Sequence, residues 1–230
     1  VTGKNGLFDR PENTEFFLGN AGPAIRPLTA ALSLVDGDFT IDGDRYMRER
    51  PISHLTDALK ELGAGITFLM KEGYPPFQIQ GGKVKGGNIT LPGNISSQYL
   101  TSLLMALPLA ITDSNIRIIG DQVSKPYLDI TLKMMELFGV HAYHKNYQSF
   151  HIPGKQYYRT PGEYMIEGDA SSASYFFAGA ATAGGKIAVH GIGINSVQGD
   201  IQFLDAIEAM GASVARPPNY IEVESKGRLK

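Results

Sequence analysis

Apolar and polar positions follow one another in the same order three times along the chain. Each round opens with a short strand-like run, at 15–18, 88–91 and 163–166. A small turn (Gly19-Asn20, Pro92-Gly93-Asn94, Glu167-Gly168-Asp169) leads into a helix rich in Ala, Leu, Ser and Phe, near 21–35, 95–110 and 170–183. A second strand alternates apolar and polar residues through Phe39 and Ile41, Ile116 and Ile118, Ile187 and Val189, and reaches a glycine at Gly43, Gly120 and Gly191. A loop and a second helix follow, with apolar residues at helical spacing: Ile52, Leu55, Leu59 and Leu62, then Leu128, Leu132 and Met135, then Phe203, Ile207 and Met210. These helices stop at Gly63, Gly139 and Gly211, where a glycine can take the left-handed conformation that closes a helix. Two more short strands finish each round, at 66–69 and 77–80 in the first and at 220–224 in the third. The pattern predicts a repeat of β-α-β-α-β-β form, an α/β (α+β) chain, and agreement among three copies makes it stronger than any one element.

The edges read as those of a longer protein's internal piece. Residues 1–14 resemble the tail of a preceding repeat whose start is absent, and the chain opens on Val1 rather than Met. Composition narrows the class. Of 230 residues, 43% are hydrophobic and 19% charged, which is ordinary for a soluble globular protein. Net charge is 21 − 23 = −2, so a polyanion held by bulk charge is not the expected partner. No apolar run approaches the roughly 20 residues that span a bilayer. With no cysteine, disulfides, zinc-thiolate sites and cysteine nucleophiles are excluded from this segment. The expectation is a soluble, cytoplasmic chain with no membrane or nucleic-acid partner.

Candidate chemistry gathers in the turns. Each first helix starts straight after a strand with small or hydroxyl residues: Asn20-Ala21-Gly22, Ser96-Ser97-Gln98, Ala170-Ser171-Ser172. Free backbone N–H groups and the positive helix end suit an anion there, and the Ser96 and Ser97 hydroxyls add donors. Plain N-capping is the competing reading of any single turn. The first loop after the second strand carries Arg45, Arg48 and Arg50, whose planar forks suit carboxylate or phosphate, unless Asp42, Asp44 and Glu49 absorb them. The second carries Ser124-Lys125-Pro126-Tyr127. Stacked repeats would gather such loops on one face, which favours the anion. The histidines, His54, His141, His144, His151 and His190, lack the spacing of a metal site.

Specific strings then resemble the 5-enolpyruvylshikimate-3-phosphate synthase family: Leu18-Gly19-Asn20-Ala21-Gly22 with Arg26-Pro27, Arg48-Glu49-Arg50-Pro51-Ile52, Ser96-Ser97-Gln98, Val123-Ser124-Lys125-Pro126-Tyr127, and Glu167-Gly168-Asp169-Ala170-Ser171-Ser172-Ala173-Ser174-Tyr175. The resemblance runs along nearly the whole chain. It implies the enolpyruvyl transferase-like fold, an inside-out α/β barrel in two lobes, each of three β-α-β-α-β-β units in pseudo-threefold symmetry. Residues 15–162 would be the second and third units of the first lobe, and 163–230 the first unit of the second. It further implies that Ser96, Ser97 and Ser124 hold the phosphate of shikimate 3-phosphate and that Tyr127 lines its ring. Gln98 would lie between that substrate and phosphoenolpyruvate, and Asn20, Gly22 and Arg50 would bind the latter. The implied reaction transfers the enolpyruvyl group to the 5-hydroxyl and releases phosphate, with no metal or organic cofactor, in an intact enzyme that is a monomer.

Two departures matter. Pro23 stands where the family has a hydroxyl residue, which implies an altered phosphoenolpyruvate pocket and weaker inhibition by glyphosate. The family's N-terminal lysine-serine motif and its second-lobe catalytic groups have no counterpart here, so no catalytic residue falls within this segment and it is expected to be inactive alone. The sister transferase acting on UDP-N-acetylglucosamine carries a cysteine in the loop where Asp44-Arg45-Tyr46 stands. A nucleotide- or RNA-end-binding module would want a basic, aromatic stripe that the chain lacks.

Overall fold

The computed structural model describes residues 14–227 and 229. The tail at 1–14 lies outside them except for Thr14. The chain divides into two compact bodies, Val1–Pro161 and Gly162–Lys230. The described residues form three open sheets, none closed into a barrel.

In the first body, β1 (Glu15–Phe17), α1 (Gly22–Ser33), β2 (Asp38–Asp42), α2 (Ser53–Glu61), β3 (Gly65–Phe68) and β4 (Phe77–Gln80) make the first repeat, with sheet order β1-β2-β4-β3. The second is β5 (Asn88–Pro92), α3 (Ser97–Ala106), β6 (Ser114–Ile119), α4 (Lys125–Leu137), β7 (Tyr143–Lys145) and β8 (Ser149–Ile152), in the same order β5-β6-β8-β7. In both, the first two strands are parallel across the helical crossover and the rest antiparallel. Strand alternation sets the inner faces. Phe39 faces Ile79 and Ile41 faces Phe77 in register, and Ile116 faces Phe150, all six with at most 1% of their surface exposed. One core runs through both repeats, joined where α1 packs against α3.

That burial explains the helices' composition. α1 hides Ile25, Ala30 and Leu32 together with Thr29 and Ser33, whose hydroxyls donate back to the carbonyls of Ile25 and Thr29 and so enter the core satisfied. Pro23 sits in the first turn of α1, and Pro27 lies within it. Gly63, Gly139 and Gly211 take positive φ of 105°, 75° and 106° at the ends of their helices, as the pattern predicts.

The second body holds α5 (Ala170–Ala183), β9 (Gly185–His190), α6 (Phe203–Ala209), β10 (Ser213–Ala215) and β11 (Tyr220–Ser225), an antiparallel sheet of order β10-β11-β9 over its own small core. Two expectations fail here. Of the expected stripe of α6, Ile207 is buried and Phe203 packs half-buried on the core, but Met210 is exposed and Leu204 takes its place. Residues 163–166 form no strand. In the first body the matching strand β5 buries Ile89 and Leu91 and β1 half-buries Phe16, whereas Met165 and Ile166 are 85% and 82% exposed. The chain rejoins the pattern only at Gly168, whose N–H donates to Gly191 at 2.8 Å, as Leu18 does to Asp42 and Gly93 to Ile119.

Candidate functional site

The turn after β1 is built by close backbone approach. Gly19 has φ +55°, its carbonyl accepts from Asp44 N–H at 3.1 Å, and a Cβ on Gly43 would stand 2.4 Å from that same oxygen. The loop after β2 is thereby laid against the start of α1, and its three arginines part company. Arg48 forms a two-pronged ion pair with Asp42. Burial pushes the Asp42 carboxyl up, but Arg48 and the Gly43 N–H outweigh it and hold it below the usual carboxylate range. Arg45 lies over the ring of Tyr46. Arg50 alone turns to the first helix, donating to the Asn20 side-chain oxygen at 3.3 Å and the Asn20 carbonyl at 3.5 Å. Asn20, Gly22 and Arg50, named together from sequence, thus meet.

Above Gly22 the space is occupied by guanidinium. A Cβ there would lie 2.9 Å from both terminal nitrogens of Arg50 and 3.0 Å from one of Arg26. Arg26, one turn along α1, is 6% exposed; its Nη1 donates to the Gly22 carbonyl at 3.2 Å and to Gln98 Oε1 at 2.5 Å. Among the described residues no carboxylate pairs with Arg26 or Arg50. Two uncompensated guanidinium groups at the N-terminus of a helix form a site for an anion.

A second concavity opens at the starts of α3 and α4. It encloses about 370 Å³ and is lined by Ser96, Ser97, Gln98, Thr101, Ser124, Tyr127, Ile130 and Thr131. All five residues that the sequence assigned to one ligand (Ser96, Ser97, Gln98, Ser124 and Tyr127) are on its wall. Ser96 caps α3 by accepting from the Gln98 N–H at 3.3 Å. Ser97 is buried, and Ser124 caps α4 from a left-handed conformation, φ +56°, without turning its hydroxyl to the cap. Among the described residues the hydroxyls of Ser97 and Ser124 have no hydrogen-bond partner, so both are available to a ligand. Thr101 and Thr131, which also line the cavity and which the sequence does not single out, bond to each other at 3.3 Å. Arg26 carries its own signal in the sequence, a charged residue among the buried positions of an otherwise apolar helix.

The third turn is different in kind. In the second body, Asp169 caps α5, accepting from the Ser172 hydroxyl and the N–H groups of Ser171 and Ser172. Gln198 ties Glu167, the Gly168 carbonyl and the Ala170 N–H together, and Ser171 donates to Asp200. Its own carboxylate fills this helix N-terminus, so capping accounts for it. Among the described residues no helix is long and apolar enough to cross a membrane.

A family model described as EPSP synthase (3-phosphoshikimate 1-carboxyvinyltransferase) matches residues 1–230. The 3-phosphoshikimate 1-carboxyvinyltransferase of Pectobacterium carotovorum subsp. carotovorum is 55% identical over 229 residues, 100% of this chain and 53% of that protein. That of Yersinia pestis bv. Antiqua is 53% identical over 230 residues, with the same shares. The chain therefore spans about half the length of the curated relatives it matches. Among solved structures, EPSP synthase from Acinetobacter baumannii superposes with a TM-score of 0.75 at 24% identity, over 92% of this chain and 48% of that one. A second structure of that enzyme gives 0.73 at 25% identity, over 93% and 48%. The likeness carries the fold.

Proposed function

The chain belongs to the EPSP synthase family, and from that premise we propose that it carries the shikimate 3-phosphate site and one arm of the phosphoenolpyruvate site of a cytoplasmic, monomeric enolpyruvyl transferase. Residues 15–162 serve as the second and third repeats of one lobe, and 163–230 as the first repeat of the other. The observation that carries the reading is the single cavity walled by Ser96, Ser97, Gln98, Ser124 and Tyr127 between two helix N-termini. Ser96, Ser97 and Ser124 donate hydroxyl hydrogens to the phosphate oxygens, the helix ends add their partial positive charge, and Tyr127 lies along the ring. Arg50 and the turn of Asn20, Ala21 and Gly22 hold phosphoenolpyruvate.

The reaction joins the carboxyvinyl carbon to the 5-hydroxyl and releases phosphate through a tetrahedral intermediate. Two anions have to be brought into contact, and this segment contributes by holding both and offsetting their repulsion with unpaired guanidinium charge. The groups that move protons lie outside it, so the chain alone releases no phosphate from the two substrates. Calorimetric titration of the chain with shikimate 3-phosphate, beside the Ser96→Ala/Ser97→Ala double variant, tests the site. Binding that the variant loses is expected; equal binding by both would remove the serines from the site.

A further inference from the structure

Arg26 is placed at a cost that its packing does not explain. It is 6% exposed, its Nε is buried with no partner, and among the described residues no carboxylate compensates it. Its guanidinium carbon lies 5.1 Å from the centre of the Tyr99 ring, and the Tyr99 hydroxyl is in turn anchored on the Pro51 carbonyl at 2.9 Å. Burying an unpaired guanidinium is unfavourable, and an apolar residue of similar volume would serve a packing role better.

What Arg26 does have is a short bond to Gln98 Oε1, 2.5 Å, from α1 across to α3. A glutamine amide has a donor end and an acceptor end, and a guanidinium has donors only. The atom of Gln98 that faces Arg26 is therefore the carbonyl oxygen. The NH2 end, for which no partner occurs among the described residues, is the end left for the cavity that Gln98 lines with Ser97 and Ser124. We propose that Arg26 is a positioning residue: it locks the Gln98 amide so that two N–H donors, and no acceptor, meet the bound shikimate 3-phosphate. This rests on the proposed function, since it names how one wall of that site is set. The same Nη1 also holds the Gly22 carbonyl, so the lock is fastened to the turn beneath Arg50.

The test is calorimetry with shikimate 3-phosphate on a double-mutant cycle of wild type, Arg26→Ala, Gln98→Ala and the double variant, with Arg26→Lys as a conservative rescue. Arg26→Ala is expected to weaken binding about tenfold, the scale of a hydrogen bond to a charged group. In the Gln98→Ala background the same change is expected to cost less than about twofold, because Arg26 then has nothing to orient. Arg26→Lys recovers part of the loss. A proton NMR readout on the wild type does not depend on how the variants fold: the Gln98 side-chain NH2 pair, identified by its loss in Gln98→Ala, shifts on adding shikimate 3-phosphate. Unchanged affinity in Arg26→Ala, equal losses in both backgrounds, or an NH2 pair that ignores the ligand each overturns the proposal. Wild-type chain with no affinity for shikimate 3-phosphate overturns the proposed function instead.

Discussion

At Gly22 the missing side chain leaves room for two guanidinium groups rather than for backbone. The atoms a methyl would strike hardest are the ends of the partly exposed Arg50 side chain, which can swing aside at little cost to the fold, while the buried Arg26 need give only a few tenths of an ångström. Gly22→Ala is therefore expected to leave the melting temperature nearly unchanged while weakening phosphoenolpyruvate binding about tenfold, read by titration beside a thermal scan. Ser124 makes the opposite trade. A left-handed backbone costs an L-residue roughly 1–2 kcal/mol, which glycine escapes. Ser124→Gly and Ser124→Ala should both lose affinity for shikimate 3-phosphate, yet the glycine variant should be the more stable by about 1 kcal/mol in urea. Equal stability would mean that the strain is not real. The serines, Gln98, Tyr127 and Arg50 are legible in the sequence because they stand in ordered strings at turn positions. Composition alone does not choose among Arg45, Arg48 and Arg50; the family resemblance picks Arg50, and the physical reason is Asp42, a strand residue that captures Arg48. Arg26 was hidden for a related reason: its partner lies on another helix, 72 positions away.

At the level of elements, the repeat was readable wherever local chemistry decides. Strand alternation, helical spacing and a terminating glycine all act within a few residues, and the first two sheets follow from them. The run at 163–166 misled because its composition is that of a strand, yet its apolar residues Met165 and Ile166 stay exposed and add nothing to the small core of the second body. The start of α5 misled in a similar way, since Ser171 and Ser172 look like anion ligands until Asp169 is seen to occupy them. That carboxylate is held below its usual range, first by the Ser172 hydroxyl and then by the backbone N–H groups of Ser171 and Ser172. With the folded-state value depressed, its stabilisation is present above the unfolded value, near pH ~3.9, and is lost as pH falls through the folded one. Asp169→Asn keeps a cap without the charge. The variant should unfold in urea with less pH dependence than wild type on the acid side of pH 4, followed by the helical circular dichroism signal; parallel curves would count against the cap.

For the molecule as a whole, the first body is two sheets with one core. Leu103, in the middle of α3, has no exposed surface. Truncating it to alanine should cost about 2–5 kcal/mol. Because the core is shared, amide exchange should quicken in the sheets of both repeats, not only in its own. Protection lost from one sheet alone would show that the repeats are separately stable. Every ladder among the described residues, by contrast, closes inside its own repeat: Glu15 pairs with Thr40, Asp38 with Gln80, Asn88 with Asn115 and Ser114 with Ile152. Among the described residues no strand is lent from one sheet to another. The contact that joins the repeats, α1 on α3, is expected to form in the folding transition state, so the Leu103→Ala loss should fall mainly on the folding arm of a chevron plot; a loss carried by the unfolding arm would count against it.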